Sequence, residues 1–469
     1  MRTRFDFVHC DNHRAVRPLV LNYNDAETLA LAIRTEVIGR FKQIKKSASA
    51  RFYVNGTLVE DWDGELPFPD GTRVVIYDKT GGPPAASAGE RADAAAPAPT
   101  SFLHAETTVD EDAIQQLHRV AKLPGMVECV GMPDLHLGSG AYPVGAAFVA
   151  SRIIPELVGS DIGCGMTLFP LPGVSSDLKD RQLQRLSKAL GQDGFLPGEA
   201  ALDTPASQHP LAAPHARNFG TIGGGNHFAE LQVVHELVEP GALDPTGAYL
   251  LVHSGSRTLG EAVAAQFKAN GDLAAYCDAH DVCVAWASDN RRKIGQRFAN
   301  VCSGDSPVEP VQAILDITHN SYVPAAPSAN SQDSPRYLHR KGAAPMDAGQ
   351  LVAIPGSRGT FTYIVRPSTD SEVLARCACS IAHGAGRAMS RGKVTALLKG
   401  RYRSRRTDAL EVLQRTAFNG YVVCPGRVEV LYEEAPEAYK DIELVIRDLV
   451  AVGAITVVAV MKPLITCKM

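Results

Sequence analysis

Alternation of apolar and polar positions dominates the first eighty residues. Arg4–Val8 and Arg17–Tyr23 alternate as half-buried strands do, and Asp25–Lys42 has helical spacing. Arg51–Val54, Asn55-Gly56 and Thr57–Glu60 make a hairpin signal, and Arg73–Tyr77 reads as a last strand. The predicted order over residues 1–79 is β-β-α-β-β. Residues 80–100 break the pattern: they are rich in Pro, Ala and Gly and read as a flexible linker. From Asp110 a helix over Glu111–Ala121 leads into a larger unit, residues 101–469. There, apolar strand-type runs at Gly145–Val149, Tyr249–Val252, Leu351–Ile354 and Val422–Cys424 mix with helical stretches at Asp180–Leu190 and Gly260–Asp278. The pattern predicts an α/β fold of mixed α+β type and leaves its topology open.

At 469 residues the chain is long enough for two domains, and 45% hydrophobic against 21% charged residues suit a sizeable core. The net charge of −4 does not advertise nucleic-acid binding, so any such surface must be local. The ten cysteines form no repeating framework and no C-x-x-C pair, which points to a reducing compartment. Met1-Arg-Thr-Arg-Phe-Asp lacks the apolar core of a secretory signal, and no run approaches about 18 apolar residues. A cytoplasmic protein without a membrane span is expected.

Candidate chemistry begins at Leu157–Thr167, where Asp161 and Cys164 stand three positions apart among Gly159, Gly163 and Gly165. A tight turn there aims a hard oxygen and a soft sulfur at one point, a pair suited to a divalent transition metal. The plainer alternative is a Gly-rich turn with a buried thiol. Asp134 and His136 alternate, so an extended segment faces both the same way, toward a metal or its ligands, unless they are a turn Asp and a surface His. Gly220–Glu230 sets three glycines before Asn226 and His227; its amides suit a phosphate, His227 a metal, and Asn226 and Glu230 a nucleotide. It is not a P-loop. Ala248–Arg257 reads as a buried strand ending in His253, then a Ser-Gly-Ser-Arg turn into a helix whose Arg257 can grip an anion. His319-Asn320, the cationic Arg340-Lys341 and Pro355–Thr360 are, one by one, more plainly loops. His383 precedes Gly-Ala-Gly and a helix carrying Arg387, Ser390 and Arg391; an imidazole beside anion-binding groups can attack a phosphoryl centre. Cys377 and Cys379 read as core, and the basic run Lys399–Arg406 as a phosphate contact or a solvated face.

Taken in order, Asp161-x-x-Cys164, Asn226-His227-Phe228-Ala229-Glu230, His253-Ser-Gly-Ser-Arg257, His319-Asn320, Arg340-Lys-Gly-Ala343, Pro355-Gly356-Ser357 and His383-Gly384-Ala385-Gly386-Arg387 resemble the motifs of the RtcB family of RNA ligases. The resemblance covers roughly residues 105–469, with Ala438–Ile442 and Lys468. It implies an RtcB-type catalytic domain; residues 1–79, whose β-β-α-β-β order resembles a ubiquitin-like β-grasp, form an extra module that is not part of the usual family chain. The implied activity is GTP- and manganese-dependent joining of RNA 3′-phosphate or 2′,3′-cyclic phosphate ends to 5′-hydroxyl ends through a covalent His–GMP intermediate, in RNA repair or tRNA splicing. His383 matches the guanylylated nucleophile, with Asp134 and Arg257 as further catalytic residues. Asp161, Cys164, His227, His253 and His319 match the ligands of two manganese ions, Cys164 placed to bridge. Implied nucleotide-binding positions are Asn226, His227, Phe228, Ala229, Glu230, His319, Asn320, Pro355, Gly356, Ser357, Arg358, Thr362, His383, Gly384, Ala385, Gly386 and Lys468. The expected partners are GTP and RNA, as tRNA halves or cleaved rRNA and tRNA, and a monomer is expected.

The chain departs from the commonest family pattern at Asp134-Leu-His136-Leu-Gly-Ser-Gly, which replaces Asp-x-His-Pro-Gly, and at Arg358, where a neutral residue is common. Ser160–Met166 resembles the branch found alongside a release-factor-like protein, which implies repair of cleaved RNA. Whether an archease-like activator or a release-factor-like partner takes part stays open. Two other readings compete: a phosphohydrolase or cyclic phosphodiesterase that does not use His383, and an RNA-binding scaffold on a degenerate ligase fold. Survival of every ligand type weighs against the scaffold.

Overall fold

The computed structural model describes residues 2–9, 12–22, 33, 51–54, 57–58, 72–77, 96–138, 140–193, 203–304, 312–325, 335–402, 412–415, 418, 420–425 and 429–469. They belong to two compact units, Met1–Ala95 and Ala96–Met469. In the first, β1 (Arg2–His9) pairs antiparallel with β2 (Asn12–Asn22) and parallel with β5 (Thr72–Tyr77). β3 (Arg51–Val54) adds to β5 and turns back as β4 (Thr57–Leu58), giving the order β2-β1-β5-β3-β4. The helix expected at Asp25–Lys42 lies outside the described residues, apart from the helical Ile33.

The second unit is built on two sheets. The larger orders β12 (Leu315–Thr318), β9 (Gly165–Ser175), β11 (Gly247–Ser254), β10 (Phe228–Leu237), β20 (Ile455–Cys467), β17 (Thr362–Pro367) and β16 (Val352–Pro355). A short strand, β19 (Tyr421–Val423), lies parallel on β20. The smaller orders β13 (Asn320–Pro324), β14 (Tyr337–Lys341), β8 (Val144–Ala150), β7 (Met126–His136) and β6 (Thr100–Phe102). β15 (Ala343–Pro345) pairs with β18 (Ser380–Ala382) beside them.

Apolar faces explain the layering. Val130 and Ala147 of the small sheet share one core cluster with Leu168, Leu251 and Ile354 of the large one. The other face of the large sheet, including Phe169, Leu250 and Val252, is covered by α2 (Asp180–Asp193) and α4 (Leu273–Ser303) through Leu183, Leu190, Ile294 and Phe298. α1 (Glu111–Val120), capped by the Asp110 side chain, covers the small sheet with Leu117 against Cys129 and Phe148. Runs buried on both faces, such as Gly165–Leu171, therefore lack clean alternation.

Two boundaries differ from expectation. The stretch Gly260–Asp278 is two helices, α3 (Thr258–Asn270) and α4, because Gly271 closes the first in a left-handed conformation (φ 69°) and the Asp272 side chain caps the second. The end of the expected linker is ordered: Ala98 N donates to Ala121 O, Cys129 N to Pro99 O, and Thr100 pairs with Cys129, so β7 satisfies this backbone. Among the described residues no helix is long and apolar enough to cross a membrane.

Gly165 lies where β9 meets β12, and an added Cβ would stand 2.1 Å from Ile317 O. Gly165→Ala is expected to destabilise the protein by about 1–3 kcal/mol through overpacking. Urea unfolding measures this, and a wild-type midpoint would show that the two strands separate freely.

Candidate active site

Strand register brings the expected donors to one end of the large sheet. Gly165 faces both Ser254 of β11 and Thr318 of β12, so Cys164, His253 and His319 are neighbours. Phe228 faces His253, which draws in His227 just before β10. Ala229 faces Cys467, which sets Lys468 beside the same edge. His319 N donates to Cys164 O, and Gly163 N to Asn320 O, locking the Asp161 turn to the β12–β13 junction.

Cys164 Sγ lies 3.2 Å from His253 Nε2 and 3.3 Å from His227 Nε2. His253 Nε2 is 3.2 Å from His319 Nε2, and His227 Nε2 is 2.9 Å from Asp161 Oδ2. These atoms form two potential metal-binding groups, Cys164–His253–His319 and Asp161–Cys164–His227, which share the sulfur. Burial, reinforced by neighbouring imidazoles, holds His253 and His319 well below the ordinary imidazole range, so both present lone pairs. Burial and the Asp161 carboxylate push the Cys164 thiol well up. Desolvation opposes ionisation of Asp161, yet the His227 contact outweighs it and its carboxyl lies well below the usual range. Donor atoms converging at 2.9–3.3 Å could hold divalent cations, which would also favour the thiolate.

His383 follows β18 at the rim of this cluster, its ring centroid 4.7 Å from that of His319. Its Nδ1 donates to Asp134 Oδ2 at 2.7 Å, leaving Nε2 with the free lone pair. Asp134 is fully buried and also accepts from His383 N. Gly386 makes the approach feasible: at φ 70°, a Cβ there would meet Asp134 O at 2.2 Å. Lys440 Nζ donates to Pro133 O and Leu135 O, the carbonyls flanking Asp134, while Lys440 N donates to Gly386 O.

A cavity of about 310 Å³ opens on these groups. Of the expected residues, Asp161, Cys164, Asn226, Phe228, Glu230, His253, His319, Asn320, Pro355–Arg358, His383–Gly386 and Lys468 line it; Asp134, His227, Ala229, Arg257 and Thr362 stand behind. Glu230 is pushed up to about 7 by burial, although Thr466 and Gln232 donate to it. Burial brings Lys468 down to about 8, its ammonium resting on Gly225 O and His227 O.

Several expectations change. Asp134 and His136 do not share a face: β7 shifts register between Gly131 and His136, so His136 lines the cavity and Asp134 is sealed behind His383. Arg257 contacts His227 Nδ1 at 3.1 Å through Nη1 and is not a lining residue. Arg340 is no surface cation; it is buried and donates to Ser380 Oγ and Cys379 O. Arg358 is buried too, donating to Leu431 O, with Nη1 unpartnered. Arg387 and Ser390 precede the helix, α5 (Arg391–Arg401), which Ser390 caps. Arg403, Arg405 and Arg406 lie outside the described residues.

Among the described residues, one highly connected side chain has no sequence signal. Arg291 of α4 has no exposed surface. Nη1 donates to Gly163 O and Ser254 O, Nη2 to Asp316 Oδ1 at 2.7 Å, and Nε to Thr167 Oγ1. It thus touches the neighbours of Cys164 and His253 and the strand leading to His319. Glu434 was also missed: it is buried in the cavity wall and accepts from Arg387, Arg391 and Tyr439. Neither has a local motif.

Residues 116–197, 196–272 and 268–469 match the model of the family described as tRNA-splicing ligase RtcB. The chain is 39% identical over 380 residues to an RNA-splicing ligase RtcB2 of Escherichia coli, covering 77% of this chain and 93% of that protein. It is 29% identical to the RNA-splicing ligase RtcB of Escherichia coli K12 (74% and 92% covered) and 28% identical to a tRNA-splicing ligase RtcB of Methanococcus maripaludis (76% and 91% covered).

Because Cys164 is common to both donor groups, Cys164→Ala is expected to weaken divalent-cation binding at both, whereas His227→Ala disturbs only one. Metal analysis after equilibrium dialysis against a divalent cation reads this directly. A cation content of Cys164→Ala equal to that of wild type would rule out the shared sulfur.

Proposed function

Because the chain belongs to the RtcB family, we propose that it is an RNA ligase that uses GTP and two manganese ions to join 3′-phosphate or 2′,3′-cyclic phosphate ends to 5′-hydroxyl ends. The observation that carries this reading is the Asp134–His383 pair at the edge of the Cys164-centred donors, inside one cavity. In this reading Asp161, Cys164, His227, His253 and His319 hold the metals, which supply charge neutralisation for phosphate oxygens.

Asp134 fixes the ring and tautomer of His383, so Nε2 attacks the α-phosphorus of GTP. The N–P bond forms as the α–β bridging P–O bond breaks and pyrophosphate leaves. A 2′,3′-cyclic phosphate end first adds water at phosphorus as its P–O2′ bond breaks, the O2′ taking a proton, which gives the 3′-phosphate. An oxygen of the RNA 3′-phosphate then takes the guanylate from Nε2, which recovers its lone pair. The 5′-hydroxyl attacks the activated 3′-phosphorus, GMP departs, and the hydroxyl proton passes to solvent. Glu230 suits the N1–H and 2-amino donors of guanine, and Lys468 and the unpartnered Nη1 of Arg358 supply donors nearby. Asn226, Phe228, Asn320 and Ser357 complete the nucleotide site, with Arg257 acting through His227.

The reading extends to the domains: a β-grasp-like module over residues 1–79, a linker to about residue 95 and a ligase domain from there on. The order β2-β1-β5-β3-β4, with β1 and β5 parallel, supports the first of these.

Incubation with α-labelled GTP and manganese should leave an acid-labile label on the intact protein and none on His383→Ala. Asp134→Asn should slow labelling by roughly 100-fold or more, as a misdirected tautomer does. An unlabelled wild-type protein would overturn the reading and favour a hydrolase. Glu230 protonates as pH falls through about 7, losing acceptor capacity, so the GTP affinity of wild type relative to Glu230→Gln should fall several-fold from pH 8 to pH 6. A ratio independent of pH would exclude Glu230 as the base-recognising carboxylate.

A further inference from the structure

A second concavity lies apart from the cavity of His383. α2 and β19 form an open groove of about 650 Å³ whose walls include Arg181, Gln184, Arg185, Lys188, Gln414 and Tyr421. The helix is amphipathic in a way that sorts its charges. Leu183 and Leu190 are buried in the core, while Arg181, Arg185 and Lys188, at helical spacings of four and three, are exposed. They span about 10 Å along the helix axis. Among the described residues none of the three has an ion-pair partner. The nearby carboxylate is already engaged: Asp180 accepts from Tyr421 Oη at 2.9 Å and pairs with Arg415 at 3.4 Å. The Arg415 guanidinium in turn lies 4.1 Å over the Tyr421 ring, a flat cationic–aromatic pair. Three uncompensated cations therefore line one groove of a chain whose net charge is −4.

The groove is joined to the site through its floor. β19 runs parallel to β20, and Val423, a wall residue of the groove, accepts at its carbonyl from Lys468 N. Lys468 lines the cavity that holds His383. The β19–β20 pair thus stands between the groove and the candidate nucleotide site.

We propose that this groove binds the phosphate backbone of an RNA substrate strand, away from its reacting end. Regularly spaced cations engage successive phosphates without reading sequence, and the Arg415–Tyr421 pair offers a stacking surface for a base. The proposal rests on the RNA-ligase reading for the identity of its polyanion. Because the three side chains are exposed and unpaired, their neutralisation leaves the core and the cavity intact.

The test uses the full-length protein and Arg181→Gln/Arg185→Gln/Lys188→Gln together. Binding of a 3′-phosphorylated single-stranded RNA of about 20 nucleotides is followed by fluorescence anisotropy across a salt series, beside an RNA of about four nucleotides. The triple variant should bind the long RNA at least tenfold more weakly at low salt, and its log–log salt slope should fall by about 2, three contacts at about 0.7 each. The short RNA and covalent labelling from GTP should be unchanged. Unaltered affinity and slope for the long RNA would overturn the proposal, as would an equal loss for the short RNA, which would assign the cations to the reacting end. RNA binding lost in the triple variant but no GTP label on the wild type would leave the groove standing and reject the ligase reading. A wild-type protein that binds neither RNA would overturn the groove whatever the label shows, and an acidic protein would become its candidate occupant.

Discussion

The buried guanidinium of Arg291 is the constraint on which the centre of this molecule depends. It stands inside the layer between α4 and the large sheet, where an unsatisfied charge costs several kcal/mol. Its donors reach Gly163 O, Ser254 O, Thr167 Oγ1 and Asp316 together, and Asp316 is further held by Thr167 and Ser288. Each of these groups lies next to, or one short strand away from, a donor of the Cys164–His253–His319 group. Moving any one segment would strand the charge, so the geometry of the donors is enforced from below.

Burial then sets the chemistry above it. Two imidazoles are held neutral and the thiol is held protonated. Glu230 and Lys468 are brought to about 7 and about 8 by the same desolvation. The nucleophile candidate is supported separately. Asp134 on β7 orients His383, and Lys440, just before α6 (Ile442–Ala451), clamps the carbonyls on either side of Asp134. The Cys164-centred donors and His383 are thus wired to different parts of the fold and meet only at the cavity.

β20 connects the remaining parts. It pairs with β10 and β17 in the sheet and carries β19 at its C-terminal end. Its last residues deliver Lys468 to the cavity on one side and support the cationic groove on the other. A strand that is central in the sheet gives both surfaces a rigid common base.

Much of this was legible in the chain itself. Asp161, Cys164, His227, His253, His319 and His383 each sit beside glycines or at strand ends, where chemistry needs a sharp turn, and the order of their motifs pointed to one family. Helix α1 was readable from Asp110 and its apolar spacing, and the Gly271-Asp272 break was written in residues that were read through. Arg291, Asp316 and Glu434 were not legible, because their partners lie up to 149 residues away and leave no local pattern. Arg340 looks like part of a surface cationic patch in the sequence and is buried in the fold. The sequence by itself determined which candidate donors, turns and candidate nucleophile this protein has. Only the tertiary structure decided which of them meet, because the register of β9 against β11 and β12 comes from long-range packing and a single buried charge, neither of which any short stretch encodes.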